Sequence, residues 1–461
     1  MNKQTNKAKY EIDMCNGPIL KKMLFFTLPL MCSSILQLLF NAADIVVVGR
    51  FAGDNSLAAV GSNTSLINLL TNLFIGLSIG ANVMTARYYG AKQKEELKAT
   101  VHTAMLLSIY SGIILTIVGI IGARQILIWM QTPDEVLDLA VVYLRIYFLG
   151  MTATMIYNFG SAILRAVGDT KRPLYYLSTA GVVNVILNLI FVIAFRMDVA
   201  GVGLATVISQ CISAFLVVRC LIKEESDIQL HPKELRIHRR IFFKILQIGL
   251  PAGFQGTIFS IANVVIQSSV NSLGAAVVTG ASAQGNYEAF VSVAMTSFAQ
   301  TAITFVAQHM GAKKYKRMNH AIAICIACVS VISLSLNGLF WTFRDPLLRV
   351  FIVDNEEALR EAIVRMSVIC PFHIFCGILD VFSGSTQGLG ASVSSTSVSL
   401  VGTCGFRLVW IATIFKHATE NRALTLFAVY PASWIFTLIC MMILFFFMRH
   451  RIIKKNEKNI V

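Results

Sequence analysis

The sequence ARYYGAK occupies residues 86–92, and the related sequence AQHMGAK occupies residues 307–313, with each position 221 residues later. The pair Leu28-Pro29 returns as Leu250-Pro251 at an offset of 222. Further along, RAVGD at residues 165–169 aligns with QGLGA at residues 387–391, again at 222. A nearly constant offset over most of 461 residues indicates duplication of one unit of about 220 residues. In an apolar chain, such a duplication is typical of a secondary transporter.

The composition indicates that most of the chain lies in a membrane. Hydrophobic residues make up 56%, charged residues make up 14%, and the mean hydropathy is +0.69, so most of the chain cannot face water. About 20 apolar residues cross the ~30 Å hydrocarbon core. The sequence predicts twelve spans: 23–49, 56–85, 99–123, 135–162, 174–195, 199–222, 241–271, 276–308, 318–343, 357–386, 393–415 and 421–448. The predicted fold class is therefore an all-α integral membrane protein with two homologous six-helix bundles.

The domain organisation follows from six spans in each repeat. Because six is even, both repeats enter the bilayer the same way round, and their pseudo-twofold axis is predicted to lie along the membrane normal. A polar linker between the repeats is expected to be a partly ordered cytoplasmic crossover. The predicted divisions are an N-terminal segment (1–22), a first lobe (23–222), the linker (223–240), a second lobe (241–448) and a basic tail (449–461).

The positive charge is distributed unevenly across the predicted membrane. The net charge is +15, and 28 of the 39 Lys and Arg residues fall on the side of the N-terminus, whereas eight fall opposite. The positive-inside rule therefore predicts that both termini lie in the cytoplasm. The expected location of the protein is the inner membrane. The basic tail from Arg449 is expected to contact lipid headgroups, not nucleic acid. The first 22 residues are polar, so no cleavable signal peptide is predicted.

Two motif classes indicate no cofactor. Cys325 and Cys328 have CxxC spacing but lie in an apolar run without a second pair, which favours packing over zinc binding. The glycines at 49, 53, 201 and 203 follow no predicted strand and are therefore not phosphate loops. Without an ATP site, the energy source expected from the sequence is an ion gradient.

Polar residues inside the first-lobe spans occur at similar predicted depths. Asp44 lies fifteen residues after Pro29, or about 22 Å along a helix axis. Asn188 likewise lies fifteen residues after Pro173, with Asn184 one turn before it on the same face. These spacings place all three polar side chains in the outer half of the bilayer.

The next span adds a hydroxyl group at the same level. Thr206 comes early in the sixth predicted span, so its side chain is expected to converge with those of Asp44, Asn184 and Asn188. A carboxylate among amide and hydroxyl oxygens can accept H⁺ or coordinate Na⁺, and the four residues are candidates for cation coupling. Two structural interpretations remain: Asp44 caps a helix end near Arg50, and the asparagines only form hydrogen bonds between helices.

The second lobe carries its own ionisable residues inside predicted spans: Glu288, His373, Asp380 and Arg407. One hypothesis pairs Glu288 with Arg407, and another gives these residues a role in substrate binding or proton handling. Asp380 lies deeper toward the cytoplasm and is interpreted as a structural anion. Arg145 and Arg365 occupy corresponding places in the two repeats, which favours a structural role for both.

With these motifs, the chain resembles the multidrug and toxic compound extrusion (MATE) family of cation-coupled antiporters over nearly its whole length. The motifs that carry the resemblance are NAAD at 41–44, the paired GAK loops, RAVGDTKRP at 165–173, and GVGLATVISQ at 201–210. The resemblance implies two six-helix lobes arranged as a V around a central cavity. It also implies export of small-molecule drugs or organic cations, expected to be amphipathic, by a protein expected to be monomeric.

The resemblance assigns roles to particular residues. In branches with a first-lobe cation site, an Asp on helix 1 acts with Asn and Asp on helix 5 and Thr on helix 6. Asp44, Asn184 and Thr206 match this pattern, whereas Asn188 replaces the second Asp and removes one negative charge. Another branch uses a Glu on helix 7 where this chain has Phe259. In that branch, the helix-10 carboxylate corresponds to Asp380.

The predicted function is secondary active drug efflux in exchange for H⁺ or Na⁺ by alternating access. One alternative is a flippase for lipid-linked precursors from the same superfamily, which would line its cavity with several Arg residues; Arg407 is the main candidate for such a role. A second alternative is a membrane-embedded enzyme or receptor. Since no His/Asp or Ser/His constellation lies at a common predicted depth, the sequence favours a transporter over an enzyme.

Overall fold

The computed structural model describes residues 10–352 and 355–458, which are almost entirely helical. The helices are α1 (Ile19–Phe51), α2 (Asp54–Gly90), α3 (Lys94–Trp129), α4 (Asp134–Leu149), α5 (Met151–Ala166), α6 (Lys171–Leu189), α7 (Asp198–Lys223), α8 (Arg239–Asn271), α9 (Ala275–Gly311), α10 (Tyr315–Thr342), α11 (Arg344–Arg349), α12 (Glu356–Gly388), α13 (Ser392–Ser399), α14 (Phe406–Trp410), α15 (Arg422–Phe427) and α16 (Val429–Lys458). Short π-helical turns cover Ile190–Ala194, Leu400–Gly405 and Ile411–Phe415.

The long helical segments correspond one to one with the twelve predicted spans. In the described parts of the chain, ten segments are long and apolar enough to cross a membrane, and α4 with α5 forms an eleventh across a bend of 45°. The remaining long helix, α2, has 37 residues and is about 55 Å long. The all-α fold class is therefore confirmed. The span predicted over 135–162 is present as two helices, α4 and α5, which meet in a bend at Gly150.

The surface of the helices is strongly apolar. Ile121, Trp129 and Val401 are each more than 70% exposed. A water-soluble protein rarely exposes large contiguous apolar patches, whereas lipid tails solvate such side chains without cost. These side chains lie on surfaces that fit a bilayer.

Two compact units divide the described chain. The first contains Leu24–Gly253 with short pieces at residues 10–17 and 311–313. The second contains Pro18–Met23, Phe254–Met310 and residues 314–458. The first unit thus includes the beginning of α8, up to Gly253.

The duplication recurs in the backbone conformation of the turns. Residues with positive φ occur in pairs separated by the repeat offset: Gly53 and Gly274 (φ 87° and 102°), Lys92 and Lys313 (55° and 56°), and Gly168 and Gly390 (96° and 85°). The π-helical turns Ile190–Ala194 and Ile411–Phe415 are separated by the same offset. The GAK motifs therefore end α2 and α9 in the left-handed conformation common at helix C-termini.

Close helix packing organises the first unit. Gly119 of α3 lies against the ring of Phe148 in α4, and Gly160 of α5 lies against Val217 of α7, so that a Cβ atom at either glycine would overlap its neighbour. Leu144, Phe148 and Met155 are fully buried. These contacts fix α4, α5 and α7 as the frame behind the candidate site.

The segment between α7 and α8 packs against the first turns of α3. Ile228 and Leu230 are buried, and the Lys98 ammonium lies 2.6 Å from the Glu234 carboxylate. The hydrogen bond from Lys98 lowers the pKa of Glu234. Because this pair is exposed, it contributes little stability, and the buried apolar side chains hold the segment in place.

Candidate functional site

Asp44 is positioned by the packing of α1 against α6. A Cβ atom at Gly181 would lie 1.8 Å from the ring of Phe40, which means that the ring occupies the space above the glycine. Asp44 lies one turn beyond Phe40 on α1, and Asn184 lies one turn beyond Gly181 on α6. The absence of a side chain at Gly181 therefore brings the carboxylate of α1 within reach of the amides of α6.

The four polar residues predicted to converge are connected in the structure. Asn188 Nδ2 donates to Asp44 Oδ1, and the same nitrogen lies 3.4 Å from Asn184 Oδ1. Asn184 Nδ2 in turn donates to Thr206 Oγ1 at 3.4 Å. Asn184 and Asn188 are 5% and 0% exposed, and Asp44 is half-buried. The contacts link α1, α6 and α7, while a role of these residues in cation coupling stays a prediction.

One oxygen of this cluster has no partner. Asn188 Oδ1 is buried and accepts no hydrogen bond within the described structure. A buried acceptor without a donor costs about 1–3 kcal/mol, unless a bound group satisfies it. Asp44 forms no ion pair with Lys, Arg or His in the described part of the chain, so no protein cation neutralises the carboxylate. The cluster therefore offers oxygen ligands without a resident positive charge.

Two tyrosines complete the surroundings of Asp44. Tyr143 and Tyr147 lie one turn apart on α4, with ring centroids 6.0 Å from each other, and both interact electrostatically with Asp44. Gly203 of α7 lies close to Tyr143, which keeps α4 and α7 together. These tyrosines were not predicted from the sequence. Their spacing of four residues inside a predicted span was the available signal, since it places two polar tips on one helix face.

In the second unit, the ion pair of Glu288 differs from the predicted one. Arg365 Nη2 lies 2.8 Å from Glu288 Oε2, and Arg365 Nη1 donates to Gln284 Oε1 and to the backbone oxygen of Ala281 at 2.9 Å. The hypothesis of a Glu288–Arg407 ion pair is therefore wrong. The close approach of α9 and α12 explains the difference, because a Cβ atom at Gly280 would lie 2.6 Å from the Ala358 oxygen.

Arg407 is instead held by α16. It is 7% exposed, its Nε donates to Ser433 Oγ at 3.1 Å, and its guanidinium lies 4.7 Å from the centroid of Tyr430. Arg365 approaches the same ring at 5.7 Å. Tyr430, which was not predicted from the sequence, thus contacts both arginines. Stacking of a guanidinium on a tyrosine is worth about 0.5–2 kcal/mol.

His373 and Asp380 take no part in the Glu288–Arg365 pair. The His373 ring stacks on Trp434 at 5.3 Å, and its Nδ1 lies 3.4 Å from Asn337 Oδ1. Asp380 is half-buried on α12, and it has no ion-pair partner among residues 10–352 and 355–458. The second-lobe candidates are therefore distributed over separate contacts and do not form one cluster as the Asp44 residues do.

The cysteines and other metal-binding residue types are dispersed in the described structure. Cys325 is buried and Cys328 is half-buried, and all ten cysteines are unpaired thiols. Within the described ranges, no group of three or more His, Cys, Asp or Glu side chains is arranged to hold a metal ion. The oxygen atoms around Asp44 are of the kind that binds a proton or a hard monovalent cation.

A polar cluster inside a duplicated bundle of apolar helices is characteristic of membrane transport proteins. Comparison with known families agrees: the MatE family model matches residues 29–190 and again 251–413, and its two matches begin at the repeated Leu-Pro prolines. The chain belongs to the MatE family and is a multi-pass membrane protein.

Curated relatives and solved structures cover nearly the same length. The probable multidrug resistance protein YoeA of Bacillus subtilis is 26% identical over 91% of this chain and 92% of its own length. The multidrug export protein MepA of Staphylococcus aureus is 21% identical over 84% of this chain and 85% of its own. A solved structure of a multidrug resistance MATE family transporter of the MOP superfamily, in an outward-facing conformation, has a TM-score of 0.86. It is 23% identical and covers 95% of this chain and 96% of that one, which establishes a shared fold.

Proposed function

We propose that the protein is a secondary active efflux transporter that exports drugs or organic cations in exchange for H⁺ or Na⁺, with Asp44 as the coupling site. The observation that carries this proposal is the Asp44 carboxylate inside a membrane-spanning helix, hydrogen-bonded by Asn188 and paired with no described cationic side chain. A carboxylate at membrane depth is costly unless it binds a cation or a proton during function. The names of YoeA and MepA support multidrug substrates.

The geometry suggests how a cation is bound. In the present arrangement, Asn188 donates to the Asp44 carboxylate. A proton on Asp44 removes the charge that attracts this amide, whereas Na⁺ requires oxygen atoms, such as Asn184 Oδ1 and the unpartnered Asn188 Oδ1. Either event rearranges the contacts between α1 and α6. Such a rearrangement provides the differential affinity that shifts an equilibrium between inward- and outward-open states.

The orientation is part of the same proposal. The excess of Lys and Arg on the side of the N-terminus supports cytoplasmic termini in the inner membrane, with Phe51 at the extracytoplasmic end of α1. Lipid headgroups are then the partners of the basic tail, and no nucleic acid or second protein copy is invoked. An external thiol reagent should modify a cysteine at Asn355 but spare one at Lys233, in a background without the natural cysteines. Labelling of Lys233→Cys from outside contradicts this orientation.

The arginines of the second unit support efflux of drugs over the flippase alternative. A flippase is expected to line its cavity with several arginines that bind anionic phosphates. Arg365 pairs with Glu288, and Arg407 is engaged by Ser433 and Tyr430. Both side chains thus have partners within their own unit.

The test is gradient-driven transport by Asp44→Asn in proteoliposomes. This variant keeps the size and hydrogen-bonding capacity of the side chain but removes the charge that changes on cation binding. We expect this variant to fold normally and to bind a fluorescent organic cation, whereas its uphill efflux of that cation should fall to background. Asp138→Asn is the matched control, because Asp138 is exposed and pairs with Arg124 away from the cluster. Full uphill transport by Asp44→Asn would falsify the proposal.

A further inference from the structure

An open cavity lies beyond the Asp44 cluster in the first unit. Its volume is about 270 Å³, which is large enough for several water molecules. It is lined by Phe51, Ala52, Val192, Ile193, Arg196 and Asp198.

The walls of this cavity continue the two helices that hold the Asp44–Asn188 hydrogen bond. Phe51 ends α1 seven residues after Asp44, about 10 Å further along the axis. Val192 lies in the π-helical turn Ile190–Ala194, one turn after Asn188. The cavity therefore lies beyond the cluster on the continuation of both α1 and α6. It lies at the helix ends that the proposed orientation places outside the cytoplasm.

One carboxylate oxygen in the cavity is unsatisfied. Asp198 Oδ1 is buried and has no hydrogen-bond partner among the described residues. Asp198 and Arg196 line the same cavity, yet no ion pair forms between them in the described structure. A buried carboxylate oxygen without a donor is stabilised by a cation or by water that enters the cavity.

We propose that this cavity is the entrance through which the coupling cation, H⁺ or Na⁺, reaches Asp44 from the extracytoplasmic side, and that Asp198 is its first carboxylate ligand. This inference rests on the proposed function. The positive charges of Arg196 in the cavity and of Arg50, one residue before its wall, partly offset the attraction of Asp198. A site with weak net attraction suits passage, since a transported ion must leave it as readily as it enters.

Asp138 on α4 is a carboxylate outside the cavity. Its carboxylate is largely exposed and pairs with Arg124 at 3.0 Å. It does not line the cavity, so it provides a control for a general effect of surface charge.

The experiment measures the rate at which the organic cation is exported as a function of the concentration of the coupling ion, H⁺ or Na⁺, on the extracytoplasmic side. One series varies pH without Na⁺, and the other varies Na⁺ at fixed pH, so the coupling ion is identified by the series that drives transport. In that series, Asp198→Asn should raise the half-saturating cation concentration about fivefold, the change expected from removal of one nearby charge across solvent. Saturating cation should restore most of the rate. Asp138→Asn should match the unmodified protein.

A second measurement does not depend on the folding of Asp198→Asn. Ile193→Cys, in a cysteine-free background, should react with a membrane-impermeant thiol reagent, and the adduct should slow efflux at low cation concentration. An unchanged half-saturating concentration in Asp198→Asn, an equal shift in Asp138→Asn, or an adduct without effect overturns the entrance. If neither gradient drives efflux by the unmodified protein, the proposed function itself is wrong. If Asp44→Asn loses coupling but Asp198→Asn behaves like the unmodified protein, the proposed function stands and only the assignment of the cavity as the entrance is wrong.

Discussion

The Asp44 cluster in the first unit and the Glu288–Arg365 pair in the second unit represent two different solutions for a carboxylate at membrane depth. Asp44 is hydrogen-bonded by a neutral amide, whereas Glu288 lies 2.8 Å from a guanidinium. A neutralised carboxylate cannot take up an external cation without losing its partner. A carboxylate held by amides can do so, because its negative charge is not yet compensated.

The repeat alignment shows how this difference arose from one ancestral unit. At an offset of 222, the residues Asp44, Asn184, Asn188 and Thr206 correspond to Ile266, Phe406, Trp410 and Ala428. In the opposite direction, Glu288 and His373 correspond to Leu66 and Met151, both buried. The four positions of the Asp44 cluster are therefore apolar in the second unit, and the positions of Glu288 and His373 are apolar in the first. The turns have kept their conformation, while the polar sites have diverged.

The largest expected effect concerns the stability of the Glu288–Arg365 pair. Replacing either Glu288 or Arg365 alone with Gln should lower the free energy of unfolding by about 3 kcal/mol, because a buried charge remains without its partner. Replacing both should recover much of this loss. Asp44→Asn should leave the free energy of unfolding unchanged or increase it, since it removes an uncompensated charge. Reversible unfolding of the purified protein in detergent measures all four variants.

Arg407 provides the control for this cycle. Glu288→Gln combined with Arg407→Gln should show less coupling than the Glu288–Arg365 cycle, because Arg407 is held by Ser433 and Tyr430 and forms no ion pair with Glu288 in the described structure. Equal coupling energies in the Glu288–Arg365 and Glu288–Arg407 cycles would mean that all three charges interact as one network. The contrast between the two units would then be weaker than the geometry indicates.

An intermediate effect is expected for the glycine that brings α1 and α6 together. Gly181→Ala places a methyl group where the Phe40 ring lies, and overpacking of this kind costs about 1–3 kcal/mol. It should also separate Asp44 from Asn188, and therefore lower gradient-driven efflux more than it lowers binding of the organic cation. Gly61→Ala is the matched control, since no neighbouring atom lies within 4 Å of a Cβ atom there. Full coupling in Gly181→Ala would contradict the positioning role of this contact.

The sequence predicts the height of a side chain along its helix but not the direction in which it points. Counting from Pro29 and Pro173 was sufficient to bring Asp44, Asn188 and their neighbours to one level. The same count placed Glu288 and Arg407 at one level, yet the partner of Glu288 is Arg365. The close crossing of α9 and α12 at Gly280 decides this pairing, and no pattern in either helix indicates which glycine forms a crossing.

The limits of the fold prediction have a similar cause. Hydropathy identifies only the apolar middle of each helix. It therefore missed the last turns of α2, which contain Arg87 and continue to Gly90 beyond the apolar part of the segment. The bend at Gly150 and the π-helical turn after Asn188 leave no signature in the hydropathy, since both occur inside apolar runs. The duplicated turns were visible because their residue types are repeated along with their conformation.

The smallest expected effect lies outside the membrane, where residues 10–17 pack within the first unit. Met14 is fully buried, and the backbone of Ile12 occupies the space where a Cβ atom of Gly168 would lie. The φ of 96° at Gly168 also favours glycine. The Tyr89 hydroxyl donates to Glu11 Oε2 at 3.1 Å. Burial raises the pKa of Glu11 above its ordinary value, although the hydrogen bond from Tyr89 opposes the shift. The packed segment thus binds a proton more tightly than the released one.

The sign of the pH dependence follows directly. Packing of the segment should be strongest below the ordinary carboxyl pKa and should weaken as the pH rises through the raised pKa of Glu11. Maleimide labelling of Cys15, in a background without the other nine cysteines, reports release of the segment. The Glu11→Gln variant has the same Cys15 thiol but no carboxylate at position 11. Dividing its labelling rate by that of the unmodified protein therefore removes the pH dependence of the labelling reaction itself. This ratio should fall as the pH rises through the raised pKa of Glu11, and a constant ratio would show that Glu11 does not control the packing.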